Sequence, residues 1–392
     1  MNVLVTDCQL RNAVTIIRSL GKRGLTVFAG DSDRISTGFF SKYVSKRFVY
    51  PDIGEYETQF IEQLLSFIKK ERIDIVFPIS DEAVLAIAKH RSLFGEKVRI
   101  PITDYDTLKK ASDKALTFRL AEKLGIPMPR TFYPETLSDL DDIDCFPVIL
   151  KPRLSSGSRG LALCYNLNEL RKNYQERSEK YRGMIVQEYI PVDGYGSGEF
   201  CWYGVYDWDS VCKGYGCFKP LRSYPIRLGP STVQESVEVE QINEISFKLL
   251  DYIRWKGLVQ IDLRIDVRDR VPKLIEINAR CWAPLRHSIK VGLDVPSLWL
   301  NLALGKSISK QPLIKTGIRT RWLLPGDILW FLSAKKDYKN IKEFFSFKGA
   351  NYDLIEKSDM KPVFGFFLAS FMYLFNKEKR QMIIRKNVRR SI

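Results

Sequence analysis

The sequence predicts an α/β domain at the N-terminus followed by a larger α+β region, and three observations carry that expectation. Over residues 1–110, short apolar runs alternate with stretches of helical spacing, the pattern of a parallel sheet covered on both faces. From residue 111 onward, helices are mixed with strands that read as antiparallel pairs. The chain has 392 residues, 45% hydrophobic and 28% charged, enough to bury the cores of two or three domains.

Taken in order, residues 3–6 are a short apolar strand. Residues 11–22 are a helix through Val14, Ile17 and Leu20, closed by Gly24, and residues 25–29 are a second strand ending near Asp31. A helix over 56–70 follows through Phe60, Leu64 and Ile68, then a strand over 74–78, a helix over 82–90 and a strand over 98–102. A dinucleotide site needs G-x-G-x-x-G after the first strand so that backbone can approach pyrophosphate. The turn here runs from Thr6 through Asp7, Cys8, Gln9, Leu10 and Arg11 to Asn12 without a glycine, so this domain is expected to hold substrate rather than cofactor. A helix over 112–124 with Ser112 as its cap stops at Gly125, Pro127 and Pro129. Strands over 131–133, 148–151 and 161–164, a helix over 167–181 and a strand over 184–189 come next. Residues 198–228 alternate aromatic and β-branched residues with glycines, as in an antiparallel meander. A helix over 237–253 and strands over 257–267 and 272–278 complete the region. Beyond residue 310 a strand over 319–324, a short helix over 325–332 and a basic helical stretch lead to the tail.

A net charge of +16 calls for an anionic partner: a nucleotide, an acidic substrate, nucleic acid or a membrane surface. No groove-reading motif accompanies the basic residues, so nucleic acid is not expected. Seven cysteines without a Cys-x-x-Cys spacing, and only His90 and His287, fit reduced thiols in a cytoplasmic protein better than a disulfide framework or a zinc site. The opening residues turn polar too soon for a signal peptide, and the apolar run over 362–375 is shorter than the ~20 residues of a spanning helix. The expectation is a soluble cytoplasmic protein. The tail has two readings. Aromatic residues over 364–375, followed by Lys377, Lys379, Arg380, Arg385, Lys386, Arg389 and Arg390 against the single acid Glu378, suit a helix lying on anionic lipid. They equally suit a C-terminal helix packed on the protein with a solvated basic end.

Two constellations carry chemistry. In FPVILKPRLSSGSRGL (146–161) an apolar strand delivers Lys151, and a Ser/Gly loop returns the chain to a second strand. Small residues let backbone N–H groups close over phosphate while the lysine supplies positive charge. The bland alternative is a hairpin turn with a lysine at its rim. The second constellation pairs GLVQID (257–262) with LIEINAR (274–280). Alternation along a strand puts Glu276, Asn278 and Arg280 on one face, with Ile275 and Ile277 toward the core. Asp262 precedes Glu276 by fourteen positions, with Arg268, Asp269 and Arg270 as the turn, so the two strands can pair as a hairpin. Two carboxylates and an amide oxygen make a hard, oxygen-only site suited to Mg²⁺. Arg280 beside it could stabilise charge on a transferring phosphoryl group. Polar residues on an exposed strand face are the structural alternative.

Together with Ser112-Asp113-Lys114 and the run Val186 to Ile190, these stretches resemble the ATP-grasp superfamily over roughly residues 1–300. They are most similar to its carbamoyl-phosphate-synthase-like branch of ATP-dependent carboligases, the carboxylate–amine ligases. The resemblance implies a pre-ATP-grasp α/β domain over 1–110 and an ATP-grasp α+β fold over 111–310. Within the latter, 111–190 would be the small subdomain and 191–310 the large one, with 311–392 as an extension. It implies that Lys114 and Lys151 contact ATP phosphates, Lys151 also serving catalysis, and that residues 155–160 (Ser155, Ser156, Gly157, Ser158 and Gly160 among them) cover those phosphates. Gln187, Glu188, Tyr189 and Ile190 would read adenine, and Glu199 the ribose. Asp262, Glu276 and Asn278 would hold Mg²⁺, with Mn²⁺ as a substitute, and Arg280 would face the acyl phosphate. Arg222 and Arg227 fall in the region that faces substrate and would suit its carboxylate, while His287 lines the acceptor pocket or is structural. Gln187 departs from the family's frequent Glu, and Arg159 stands in the loop where a small residue is common. The implied function is an ADP-forming ligase that activates a small carboxylate as an acyl phosphate and joins it to an amine. The alternatives are a carboxylase or phosphorylating enzyme of the same fold, and a nucleotide-binding scaffold without turnover attached to a membrane surface by its tail. A homo-oligomer is compatible with all of them.

Overall fold

The computed structural model describes residues 1–155, 159–181, 183–191, 198–226, 229–346 and 351–375. The first unit is β1 (Asn2–Val5), α1 (Arg11–Lys22), β2 (Thr26–Asp31), β3 (Val44–Val49), α2 (Glu57–Glu71), β4 (Ile75–Phe77) and α3 (Asp81–Lys89). Its strands form a parallel sheet in the order β3-β2-β1-β4, as the apolar alternation requires. The spacing does not predict β3, because Ser45, Lys46 and Arg47 interrupt its alternation; it is an edge strand with those side chains exposed. The expected strand over 98–102 reduces to a single bridge between Arg99 and Ile75. Pro101 has no N–H to extend a ladder, and its carbonyl accepts instead from Trp299 Nε1 at 2.8 Å.

Two short helices follow, α4 (Tyr105–Ser112) and α5 (Lys114–Lys123). Ser112 ends the first rather than capping the second. The cap is Asp113, whose Oδ1 accepts from Ala115 N at 2.9 Å, and a carboxylate there also complements the helix dipole. The small antiparallel sheet is β5 (Thr131–Phe132), β6 (Val148–Pro152), β7 (Ala162–Cys164) and β8 (Met184–Glu188) in the order β5-β8-β6-β7, backed by α6 (Leu167–Ser178). Gly160 leads into β7 at φ +75°, and a Cβ there would lie 2.7 Å from Pro152 and Tyr181, so only glycine fits.

The large sheet is built from β9 (Glu199–Tyr206), β10 (Cys212–Ser223), β11 (Ser231–Val237), β12 (Gly257–Ile265) and β13 (Pro272–Asn278), with α7 (Glu240–Tyr252) between β11 and β12. The sequence merges the end of β11 into that helix, since Val237 and Val239 continue its apolar spacing. Helices α8 (Leu285–Lys290) and α9 (Val295–Ala303) pack on this sheet and on the N-terminal unit together. One core runs from Val3 and Ile17 through Trp282 and Trp299 to Tyr203 and Phe218, so the parallel sheet is fused to the large antiparallel one.

The extension completes the fold rather than trailing from it. Elements β14 (Arg319–Arg321), α10 (Ile328–Ser333), α11 (Tyr338–Phe345), β15 (Asn351–Tyr352) and α12 (Lys361–Phe375) follow, and the large sheet becomes β13-β12-β9-β10-β11-β14-β15. Past β15 the chain returns to the N-terminal unit. Arg18 Nε donates to Asp359 Oδ2 at 3.0 Å in a fully buried pair, and Ser41 Oγ donates to the same oxygen at 2.7 Å. Helix α12 rests on residues 37–40 through Phe40 and Phe364, ring centroids 5.9 Å apart, as the packed-helix reading of the tail expects. Among the described residues no helix is long and apolar enough to cross a membrane, and the basic residues of 376–392 lie outside them.

Candidate active site

The hairpin β12–β13 brings the predicted oxygen ligands together. Its register places Asp262 opposite Glu276 and Gln260 opposite Asn278. The turn is held by Asp266, whose buried carboxylate accepts from Arg268 and Lys273. Those bonds drive the Asp266 carboxyl well below the ordinary carboxylate range. Asn278 Nδ2 donates to Asp262 Oδ2 at 2.9 Å and reaches Glu276 Oε1 at 3.5 Å; Gln260 Nε2 donates to Asp262 Oδ1 at 2.6 Å. Burial, and then the facing charge of Glu276, push the Asp262 carboxyl up. Two carboxylates facing each other across the hairpin, with amide N–H groups and the Lys114 ammonium as neighbours, suit a divalent cation. For Asn278 to lend its oxygen the amide must turn over, because Oδ1 now accepts from Arg280 NH2 at 3.0 Å. The alternation misplaces one residue: Ile275 is half-buried on the cleft wall rather than in the core. The register slips between Asp262 and Leu263, and the extra residue in β13 turns Ile275 to the same side as Glu276.

Arg280 is held from three directions. Its Nε donates to Asp81 Oδ2 at 2.9 Å, its NH2 to Asn278 and its NH1 to the Cys281 carbonyl at 3.3 Å. Asp81 opens α3 in the N-terminal unit, so that unit helps to build the site.

Lys151 and Lys114 meet the same cleft from the small sheet and α5. Lys151 is buried, and its Nζ donates to Gln187 Oε1 at 2.7 Å while Gln187 Nε2 donates to Thr131 Oγ1 at 2.9 Å. Burial pulls the Lys151 ammonium down to about 7; Glu276 opposes that shift, and the Lys114 and Arg264 charges reinforce it. A neutral amide at position 187 cannot offset the loss of hydration as a carboxylate would. Lys114 Nζ donates to the Ser155 carbonyl at 2.7 Å and lies 3.5 Å from Glu276 Oε2, tying the loop to the carboxylate pair. Glu199 pairs with Arg264, and burial nonetheless raises its carboxyl. Glu188 pairs with Arg268 of the hairpin turn. The Glu188 N–H donates to Arg130 O and the Tyr189 N–H to Pro147 O, while no described residue accepts from the Ile190 N–H. Arg159 reaches out of the loop to Glu82 of α3 at 2.7 Å. Ser156, Gly157, Ser158 and Arg227 lie outside the described residues.

Two expected positions stand apart. Arg222 does not line the cleft: its guanidinium binds Asp327 at 3.0 Å, reaches Glu343 at 3.4 Å and covers the Trp330 ring at 4.2 Å. The register between β10 and β11 shifts on both sides of Arg222, which turns it toward the extension. His287 is fully buried; its Nδ1 lies 3.0 Å from Thr320 Oγ1 and its ring stands edge-on to Phe218. Burial lowers its imidazolium from 6.5 to about 4. The unfolded chain therefore takes up a proton there before the folded one does, and stability falls as pH drops from 6.5 to about 4. Urea denaturation across that window should show the wild type losing about 3 kcal/mol that a His287→Gln protein retains.

The lysines, the carboxylate pair and Arg280 line one cleft of ≈ 240 Å³ between the two antiparallel sheets, with Pro129, Ile149, Leu161, Ile190 and Ile275 as its apolar end. A larger groove of ≈ 600 Å³ beside α7, lined by Lys110, Lys123, Arg254 and Lys256, contains none of the predicted residues. Its cations sit near the C-terminal ends of α4, α5 and α7, where helix dipoles favour them. Sequence reasoning missed Asp81, Gln260, Thr131 and Arg264. Gln260 and Arg264 share the alternate positions of Asp262 in one strand and were open to the same argument; Asp81 left no local signal.

No protein-family model matches the chain. Among curated proteins it is similar to the carbamoyl phosphate synthase large chain of Thermotoga petrophila, 23% identical over 277 residues, which is 64% of this chain and 23% of that protein. The chain thus spans about a quarter of the length of that relative. Of solved structures, the biotin carboxylase domain of Hydrogenobacter thermophilus 2-oxoglutarate carboxylase, in complex with MgADP, ADP and bicarbonate, superposes with TM-score 0.66 at 15% identity, covering 81% of this chain and 73% of that one. An L-amino acid ligase from Bacillus licheniformis gives TM-score 0.61 at 18% identity, covering 77% of this chain and 74% of that one. At such identities the likeness speaks for the fold.

Proposed function

We propose that this chain, which has the ATP-grasp fold, is an ATP-dependent ligase that activates a carboxylate as an acyl phosphate and passes the acyl group to an amine, releasing ADP and phosphate. The observation that carries the reading is the convergence of Lys114, Lys151, the Asp262–Glu276 pair and Arg280 on a single cleft.

In this reading adenine lies in the apolar end between Ile149, Leu161 and Ile275, with the Ile190 N–H as a donor to the base. Glu199, already oriented by Arg264, accepts from the ribose. Lys151 and Lys114 hold the phosphates, with Lys114 already bound to the Ser155 carbonyl. Asp262, Glu276 and Asn278 would hold Mg²⁺, which supplies charge neutralisation at the phosphate oxygens. Arg280, clamped by Asp81, keeps its remaining N–H groups toward the carboxylate and the phosphoryl oxygens that form on it. Positioning and charge account for the rate, with no covalent chemistry asked of the protein.

Phosphate release measured over pools of carboxylic acids combined with amines tests the proposal. Turnover that needs one acid and one amine together supports it. Turnover driven by bicarbonate alone favours the carboxylase alternative. Nucleotide binding without turnover on any pool favours a scaffold, a reading that the retained Asp262, Glu276 and Asn278 argue against.

A further inference from the structure

Beyond Arg280 the cleft changes character. Its walls there are Phe218 and Pro220 of β10, Pro230 just before β11, and Ala283 and Pro284 just before α8, with Ser231 at the start of β11 as the polar exception, its hydroxyl turned to Gln234. Phe218 continues a cross-strand row that starts at the carboxylate pair, since Asp262 lies opposite Cys201 and Cys201 opposite Phe218. The apolar wall therefore begins two strands from the proposed phosphoryl-transfer point.

The charges are unevenly divided. Among the described residues, every acidic one lining the cleft (Glu188, Glu199, Asp262 and Glu276) belongs to the nucleotide and carboxylate-pair side. On the far side Arg11 is neutralised by Asp353 at 2.5 Å and lies on the Trp322 ring at 4.3 Å. Arg280 differs. Three of its five N–H donors are engaged, by Asp81, Asn278 and the Cys281 carbonyl, which leaves at least two N–H groups for an incoming carboxylate. Among the described residues lining this side, a second carboxylate on the substrate would be desolvated with no uncommitted cation, and an ammonium would find no anion.

We infer that the acid taken by this site is a monocarboxylate with an uncharged, apolar body, its carboxylate on Arg280 and its body against Phe218, Pro220, Pro230 and Pro284; the inference rests on the ligase reading. In the step it serves, a carboxylate oxygen attacks the γ-phosphorus, the bond from that phosphorus to the β–γ bridging oxygen breaks, and ADP leaves with the electron pair. An amine nitrogen then attacks the acyl carbon, phosphate departs, and the nitrogen gives up a proton.

Hydroxylamine in place of the amine converts the acyl phosphate to a hydroxamate and makes the test independent of the natural nucleophile. The full chain with ATP and Mg²⁺ is assayed on size-matched aromatic or branched monocarboxylates, dicarboxylates and α-amino acids. The expected result is kcat/KM at least ~10-fold higher for the apolar monocarboxylates, the discrimination a pocket gives against a group it leaves unpaired. Ala283→Leu, at a half-buried wall position, should lower kcat/KM for the bulkier acids more than for short ones and leave the KM for ATP unchanged. Highest kcat/KM on dicarboxylates or α-amino acids overturns the inference and leaves the ligase reading standing. No hydroxamate from any acid overturns both.

Discussion

If the ligase reading holds, a Glu276→Ala protein should lose Mg²⁺-dependent ADP formation by about 10³-fold while remaining folded. Glu276 is one of two carboxylates in register across the β12–β13 hairpin, and it also lies 3.5 Å from Lys114. Its removal leaves Asp262 as the sole carboxylate of the pair and frees Lys114 from its counter-charge. The Asp262 carboxyl should also return toward its ordinary range, because the Glu276 charge is one of the causes that raise it. Ligand loss and the altered charge of its neighbour therefore act at one point. The fold should tolerate the change: the side chain is 28% exposed, and the hairpin is held by β9 on one side and by Asp266 at its turn. ADP release under saturating acid and nucleotide, with a thermal melt in parallel, checks both halves. A folded Glu276→Ala protein with undiminished turnover would remove Glu276 from the site.

That carboxylate pair was legible in the sequence because everything that sets it is local. Alternation decides which side chains share a face, and a short turn fixes the register of two adjacent strands. Even there the reading failed at Ile275, where a one-residue slip moved a side chain that strict alternation sends to the core. What the sequence could not show is what depends on distant chain. Asp81 clamps Arg280 across 199 positions, from a unit whose own pattern says only that it is a parallel sheet. The partners of Arg222 are hidden for the same reason, since Asp327 and Glu343 come from the extension, where periodicity is weakest. The fusion of the N-terminal unit to the large sheet through Trp282 and Trp299 was equally invisible, because a buried tryptophan does not declare which of two domains it packs against.

Lys151→Ala is expected to lower kcat/KM for ATP by about 10²- to 10³-fold, the scale of losing one preorganised donor to a charged group. The wild-type protein should show a linked signature that a merely structural lysine would not. Lys151 is buried against the neutral amide of Gln187, and its ammonium is lowered to about 7 in the free protein. ATP phosphates favour the protonated form, so binding should draw a proton from solvent whenever the pH lies above about 7. The sign follows directly: affinity is highest below that value and weakens as pH rises, by up to tenfold per unit, until the bound-state pKa is passed. Titration calorimetry in two buffers of different ionisation enthalpy at about pH 8 should register proton uptake, and the KM for ATP should climb over the same range. Gln187→Glu supplies the control, because a carboxylate 2.7 Å from Nζ would keep the lysine charged and flatten both responses. Proton uptake that persists in Gln187→Glu, or a KM for ATP that is flat to about pH 9 in the wild type, would move the titrating group away from Lys151.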